Sequence, residues 1–176
     1  MTLRVTKGTL VRQLKAKPRA DTVLAVPFIY QEQTNWCWAA CAEMIYRFLG
    51  ITNWRQCHMA QAIFGANCCS VPSSSVCNQP NWVENALNLV GIRWYRHETA
   101  YSFYGVRFEI DASRPVQVMY AWSSGGGHAA LIRGYYDDTD LDVHDPWYGP
   151  GRRTYDSILN AYGMGYWFAT LTGITR

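Results

Sequence analysis

The chain has 176 residues, the size of one domain, with a net charge of +3 and only 16% charged residues. Hydrophobic residues make up 49% and aromatics 15%, which excludes a disordered chain. The positive excess sits in residues 1–19 (Arg4, Lys7, Arg12, Lys15, Lys17, Arg19) without a reading motif, so a nucleic-acid partner is not expected.

No stretch approaches the ~18 apolar residues of a membrane span. The N-terminal basic residues are not followed by an apolar run and a small-residue cleavage site, so no signal peptide is visible. The routes left are action where the chain is made, secretion or delivery by a dedicated system, and excision from a longer chain.

Residues 1–26 lack periodicity and read as a basic, weakly ordered arm, with a single domain over 27–176. Trp38, Cys41, Ala42, Ile45, Phe48 and Leu49 recur at three- and four-residue spacings, which predicts an amphipathic helix over 36–49, stopped by Gly50. Asn53 is expected to cap a second helix, Trp54–Phe64, ended by Gly65. Residues 66–80, rich in Ser, Asn, Pro and Cys, read as a loop. A third helix is predicted over Asn81–Val90, before Gly91. Beyond it the pattern changes to short runs rich in Val, Ile, Tyr and Trp. Strands are predicted at Ile92–His97, Val116–Trp122, Ala129–Tyr136, Leu141–Asp145 and 166–171, with strong turn signals at Ser123–Gly127 and Asp137–Asp140. Phe103–Asp111 is ambiguous and reads as a short helix. The fold class is therefore α+β: a helical lobe over about 27–91 and a mostly antiparallel sheet lobe over about 92–176.

The densest chemical signal is Gln31 to Cys41, with Cys37 at a helix start. Unpaired backbone N–H groups and the helix dipole favour an anion there, and a thiolate is such an anion. The plainer reading is a small buried core cysteine. His128 follows three glycines and heads a strand, with small residues beside it. Asp145 closes the next candidate strand before Pro146-Trp147, so the 137–140 hairpin brings both to one end of the sheet. A carboxylate there would hold the second ring nitrogen and set tautomer and orientation. His58 and His97 lie in less suitable surroundings, and His144 points to the opposite face of its strand from Asp145. Trp122 and the loop containing Gly126 and Gly127 lead into His128 and are expected to border the substrate cleft, with Trp38 and Trp147 also assigned to substrate binding.

Gln31 ahead of Cys37-Trp38, the run Gly-His-Ala-Ala-Leu-Ile-Arg-Gly-Tyr, and Val143-His144-Asp145-Pro146-Trp147 together resemble the three active-site segments of papain-like cysteine proteases. The resemblance implies a papain-like fold with the active site in the cleft between its lobes. It further implies Cys37 as nucleophile, His128 as base, Asp145 as orienting residue and Gln31 as oxyanion donor, with Trp147 shielding the His–Asp pair. The Cys37–His128 separation is shorter than the ~130–150 residues of the plant and lysosomal enzymes. Thr-Asn-Trp before Cys37 and Asp as third member also look more like the compact bacterial branch. That branch includes secreted staphylococcal proteases and a type III effector protease of plant pathogens. It also has a similar Cys-Cys…Cys loop. The covered region is roughly 28–171.

The implied activity is cysteine endopeptidase cleavage of a protein or peptide through a thioester, as a secreted or delivered effector or toxin, without a cofactor. Deamidation or transglutamination of a protein glutamine would use the same triad. An immunity or inhibitor protein is an expected partner. Cys57, Cys68, Cys69 and Cys77 could be disulfides, a metal site or buried thiols, and with Cys37 free at least one other cysteine stays unpaired. A zinc- or disulfide-stabilised binding module is the non-enzymatic alternative. It is weakened by spacings that lack a paired Cys-x₂-Cys pattern, and no metal ligand is assigned.

Overall fold

The computed structural model describes residues 21–136 and 139–176, so the predicted arm up to residue 20 lies outside the described residues. Three helices occupy the segment from residue 37 to residue 89. Helix α1 (Cys37–Phe48) is buried at Trp38, Met44, Ile45 and Tyr46, and Gly50 follows it in the left-handed region. Helix α2 (Gln56–Phe64) ends at Gly65 in the same conformation, and α3 (Val83–Leu89) completes the set. The predicted Asn53 cap is not used. Arg55 is the capping residue, and the His58 ring accepts from its backbone N–H at 3.3 Å. That hydrogen bond satisfies one orphan donor of the helix start and gives His58 a structural role.

Sheet residues form β1 (Thr22–Val23), β2 (Arg93–His97), β3 (Val116–Trp122), β4 (Gly127–Tyr136), β5 (Asp140–Asp145), β6 (Gly149–Thr154) and β7 (Gly165–Thr175). All pairings are antiparallel, in the order β2-β7-β3-β4-β5-β6, with β1 on β4. The ambiguous segment is helix α4 (Phe103–Asp111), whose start is capped by Ser102 accepting from the Gly105 N–H. A short α5 (Tyr155–Leu159) and a single 3₁₀ turn (Ala161–Gly163) lead into β7.

The boundary of the arm differs from the sequence reading. Thr22 and Val23 pair with Tyr135 and Gly134, and Leu24 and Val26 are buried in the core. Two residues of extended backbone carry no periodic signal. What admits them is Gly134, where a Cβ would come within 2.7 Å of the Thr22 carbonyl. Strand β6 is also new against the sequence reading, which assigned no element to residues 149–154. It is an edge strand paired with β5, where a proline without an N–H is tolerated.

The two predicted lobes share one core. Helix α1 packs against both α3 and β4, and one continuous cluster runs from Met44, Met59 and Leu87 to Leu131, Ile132 and Leu171. Each fully buried aliphatic side chain there stabilises the fold by roughly 1.5–3 kcal/mol. The alanines at 39, 40 and 42 are wholly buried, which lets α1 sit close against its neighbours. Its first residue is thereby fixed at the seam between helices and sheet.

Candidate active site

Cys37 is the first residue of α1 and is partly exposed. The preceding Trp36 provides no side-chain cap, and no acidic residue lies in the first turn. The orphan N–H groups of this helix start are therefore left to an anion at the Cys37 sulfur or beside it.

The segment around Cys37 is clamped by the 66–80 loop. The indoles of Trp36 and Trp38 donate to the carbonyls of Cys77 (2.8 Å) and Gln79 (3.1 Å). Asn35 donates two hydrogen bonds to Asn78, from its backbone N–H to the side-chain oxygen (3.0 Å) and from its side-chain amide to the backbone carbonyl (2.8 Å). The loop is itself stapled by Cys68–Cys77 and joined to α2 by Cys57–Cys69. These two disulfides settle the pairing that the sequence leaves open. They also take up all four thiols that a zinc site would need, although Cys57, His58 and Cys69 lie close together. The remaining cysteine, Cys41, is a buried free thiol one turn behind Cys37. Burial, with the charges of Cys37 and Asp145, pushes its thiol far above the usual range.

His128 is the second residue of β4, opposite Tyr120 of β3, and Asp145 ends β5. The hairpin brings their side chains together, with His128 Nε2 2.8 Å from Asp145 Oδ1. With Nε2 engaged by Asp145, Nδ1 is the nitrogen left for the Cys37 sulfur, which lines the same two cavities as the ring. Asp145 Oδ1 additionally accepts the backbone N–H groups of Trp147 and Tyr148, both at 2.9 Å. One carboxylate thus closes the β5–β6 turn and orients the imidazole. His144, on the opposite face, packs edge-on against Phe28. Burial, then the charge of Arg133, lowers it to about 4.

Burial alone would pull the His128 imidazolium down. The hydrogen bonds and charges of Asp145 and Cys37 outweigh it and raise the ring to about 9. Burial works against the Asp145 carboxylate too, yet His128 and the two turn N–H groups hold it below its ordinary value. The pair is therefore ionised through neutral pH. Because the folded value of His128 lies above its ordinary 6.5, its stabilising contribution is complete below 6.5 and lost as pH rises through about 9. The Asp145 contribution is lost instead as pH falls through its depressed range. Turnover is expected to decline through about pH 9 as the imidazolium deprotonates. A pH–rate profile checks this, and a basic limb close to the ordinary histidine value would contradict it.

Several assignments change on contact with the geometry. Trp38 is fully buried, so it braces α1 and cannot touch a substrate. Trp147 is 51% exposed and borders the cleft with its side chain, while its backbone serves Asp145. The rings against His128 are Trp122, stacked at 5.5 Å, Tyr148, edge-on at 6.0 Å, and Tyr120, stacked at 6.3 Å. The resemblance assigned the shielding indole to Trp147, whereas the indole stacked on His128 is that of Trp122. Gln31 lies beside Cys37, but its Nε2 already donates to the Gln33 (2.8 Å) and Thr34 (2.9 Å) carbonyls. Its Oε1 is buried without a partner among the described residues. The buried Gln56, which the sequence reading passed over, fixes this segment by accepting from the Glu32 N–H and donating to the Tyr30 carbonyl.

Two cavities flank Cys37 and His128. One, of about 320 Å³, is lined by Pro80, Asn81, Trp82, Val83, Met119 and Ala129. The other, of about 370 Å³, is bordered by Asn35, Trp122, Gly126, Trp147 and Tyr148. Gly127 borders both.

A thiol heading a buried helix, facing an imidazole and a carboxylate carried on adjacent strands of an antiparallel sheet, defines a papain-like cysteine protease. The sequence matches the model of the Peptidase_C39 like family over residues 23–170, and the chain belongs to that family. Solved structures of similar fold include the peptidase domain of Streptococcus ComA, a bi-functional ABC transporter involved in a quorum sensing pathway. It is 13% identical, with 84% of this chain and 98% of that one covered at a TM-score of 0.58. A double glycine motif protease from an AMS/PCAT transporter, in complex with its leader peptide, is 15% identical, with 90% and 97% covered and a TM-score of 0.52. A structure from work on the mite allergens Blo t 1 and Der p 1 is 12% identical, with 95% and 74% covered and a TM-score of 0.50. No curated protein matches the sequence. Among the described residues, no helix is long and apolar enough to cross a membrane.

Proposed function

We propose that the chain is an endopeptidase in which Cys37 attacks a peptide carbonyl, His128 protonates the leaving amine, and water hydrolyses the resulting thioester. The observation that carries this reading is the hydrogen bond from His128 Nε2 to Asp145 Oδ1, with the ring and the Cys37 thiol lining the same two cavities. The backbone N–H of Cys37 at the helix start stabilises the oxyanion. Gln31 joins it when substrate draws one amide N–H away from the Gln33 or Thr34 carbonyl. One such donor is worth on the order of 10²–10³ in rate.

The substrate is an extended peptide segment crossing Cys37, with an apolar side chain in the cavity walled by Trp82, Val83 and Met119. The leader peptide held by one of the similar proteins supports a peptide of this class. Two disulfides support action in an oxidising compartment, where such bonds persist, and hence a secreted or delivered enzyme. Free thiols trapped at Cys57, Cys68, Cys69 and Cys77 in the native compartment count against that part. An inhibitor protein in the producing cell belongs to the same reading; a wild-type chain that purifies alone and is harmless on expression removes it.

The test is mass spectrometry of a peptide library incubated with the pure chain. Fragments bearing an apolar residue near the cleaved bond are the expected result. Intact peptides carrying deamidated or cross-linked glutamine would replace proteolysis with the second chemistry open to the same triad.

A further inference from the structure

Tyr162 sits in the 3₁₀ turn between α5 and β7 with φ 60° and ψ 28°, and Ala161 before it has φ 47°. Two consecutive non-glycine residues in the left-handed region cost roughly 1–2 kcal/mol each, and for a bulky residue this conformation is an outlier. Neither residue type offers a local hydrogen bond that would repay the cost. The turn is closed around them by Asn160, whose side chain accepts from the Gly163 N–H at 2.8 Å. The effect of the conformation is to aim one phenol. The Tyr162 hydroxyl donates to Asp145 Oδ2 at 3.0 Å, and it accepts at 3.4 Å from the buried Tyr120, whose ring lies beside His128.

The Asp145 carboxylate is 1% exposed. Oδ1 receives His128 Nε2 and two turn N–H groups, and the hydroxyl of Tyr162 is the donor given to Oδ2 among the described residues. Without it a buried carboxylate oxygen is left unsatisfied, and the carboxylate gains a reason to rotate away from the imidazole. Burial and the Asp145 charge push the Tyr162 phenol well above its ordinary range, so it stays a neutral donor wherever the protein is folded. Strained backbone persists where the surroundings over-determine it, and such positions cluster at active sites.

Resting on the catalytic reading above, we infer that Tyr162 is a positioning residue. Its hydroxyl pins Asp145 Oδ2 so that Oδ1 remains turned on His128 Nε2, and the strained 160–163 turn exists to deliver it.

The test compares Tyr162→Phe, Asp145→Ala and the wild-type chain. Tyr162→Phe keeps the ring between Tyr120 and Tyr148 and removes one oxygen. A fall in kcat of roughly tenfold to a hundredfold is expected, the scale of one hydrogen bond to a charged group. KM is expected within about twofold, because substrate does not touch the phenol. The downfield proton resonance of the His128–Asp145 hydrogen bond is expected to shift or broaden. A Tyr162→Phe chain with unchanged kcat and an unchanged resonance, or one changed solely in melting temperature, overturns the positioning role while Asp145→Ala remains impaired. If Asp145→Ala is itself fully active, it is the catalytic reading that fails.

Discussion

Cys37→Ala is expected to abolish peptide cleavage, with a loss in kcat on the order of 10⁶, the scale seen when the nucleophile of a Ser–His–Asp triad is removed. The geometry makes the prediction sharp because the other free thiol cannot substitute. Cys41 lies one turn behind, wholly buried, with its thiol pushed far above the usual range, so it stays protonated and out of reach. A thiol-reactive epoxide such as E-64 is accordingly expected to label Cys37 alone, as read by peptide mass mapping. His128→Ala should suppress that labelling, since it removes the imidazole that lines the same cavities and would take the proton of the attacking thiol. Labelling at Cys37 that is indifferent to His128, or turnover by Cys37→Ala comparable to wild type, would dismantle the triad.

Removing the Cys68–Cys77 disulfide is expected to cost stability and rate together. Closing a loop of this size stabilises a fold by about 2–4 kcal/mol. For a domain of this length that corresponds to roughly 5–15 °C in melting temperature. The loss in rate has a separate origin. Cys77 contributes the carbonyl that holds the Trp36 indole, while Asn78 and Gln79 hold Asn35 and Trp38. Once the loop is loosened, the start of α1 is no longer fixed against His128, and a displacement near 1 Å can cost about 10² in rate. Cys57–Cys69 ties α2 to the same loop, but neither of its residues binds the Cys37 segment directly. Cys57→Ala/Cys69→Ala should therefore melt earlier with a much smaller loss of kcat than Cys68→Ala/Cys77→Ala. Equal kcat losses in the two pairs, measured well below both melting temperatures, would show that the loop does not position the thiol.

Much of this site was legible along the chain. The apolar periodicity after Trp36 and Gly50 beyond it place Cys37 at a helix start. The glycines before His128 and the turn residues after Tyr136 place His128 and Asp145 at one end of a hairpin. These are local signals: each depends on the backbone preferences of a few neighbouring residues. The misplaced assignments had no local signal to follow. Nothing near Trp38 distinguishes an indole buried against Phe64 from one lining a cleft. Nothing in Gly149-Pro150-Gly151 marks an edge strand until β5 lies beside it.

The sequence by itself thus determined which residues carry the thiol, the imidazole and the carboxylate, and the α+β class that brings them together, because periodicity and turns act over short distances. The tertiary structure decided the surroundings. It paired Cys57 with Cys69 and Cys68 with Cys77, left Cys41 as a buried thiol, and committed the amide of Gln31 to the Gln33 and Thr34 carbonyls. It also stacked Trp122 on His128 and brought Tyr162 to the second oxygen of Asp145. Most of those outcomes are contacts between elements distant in the chain. Their free energies depend on packing and on which donors find acceptors, and the pattern along one segment does not encode either.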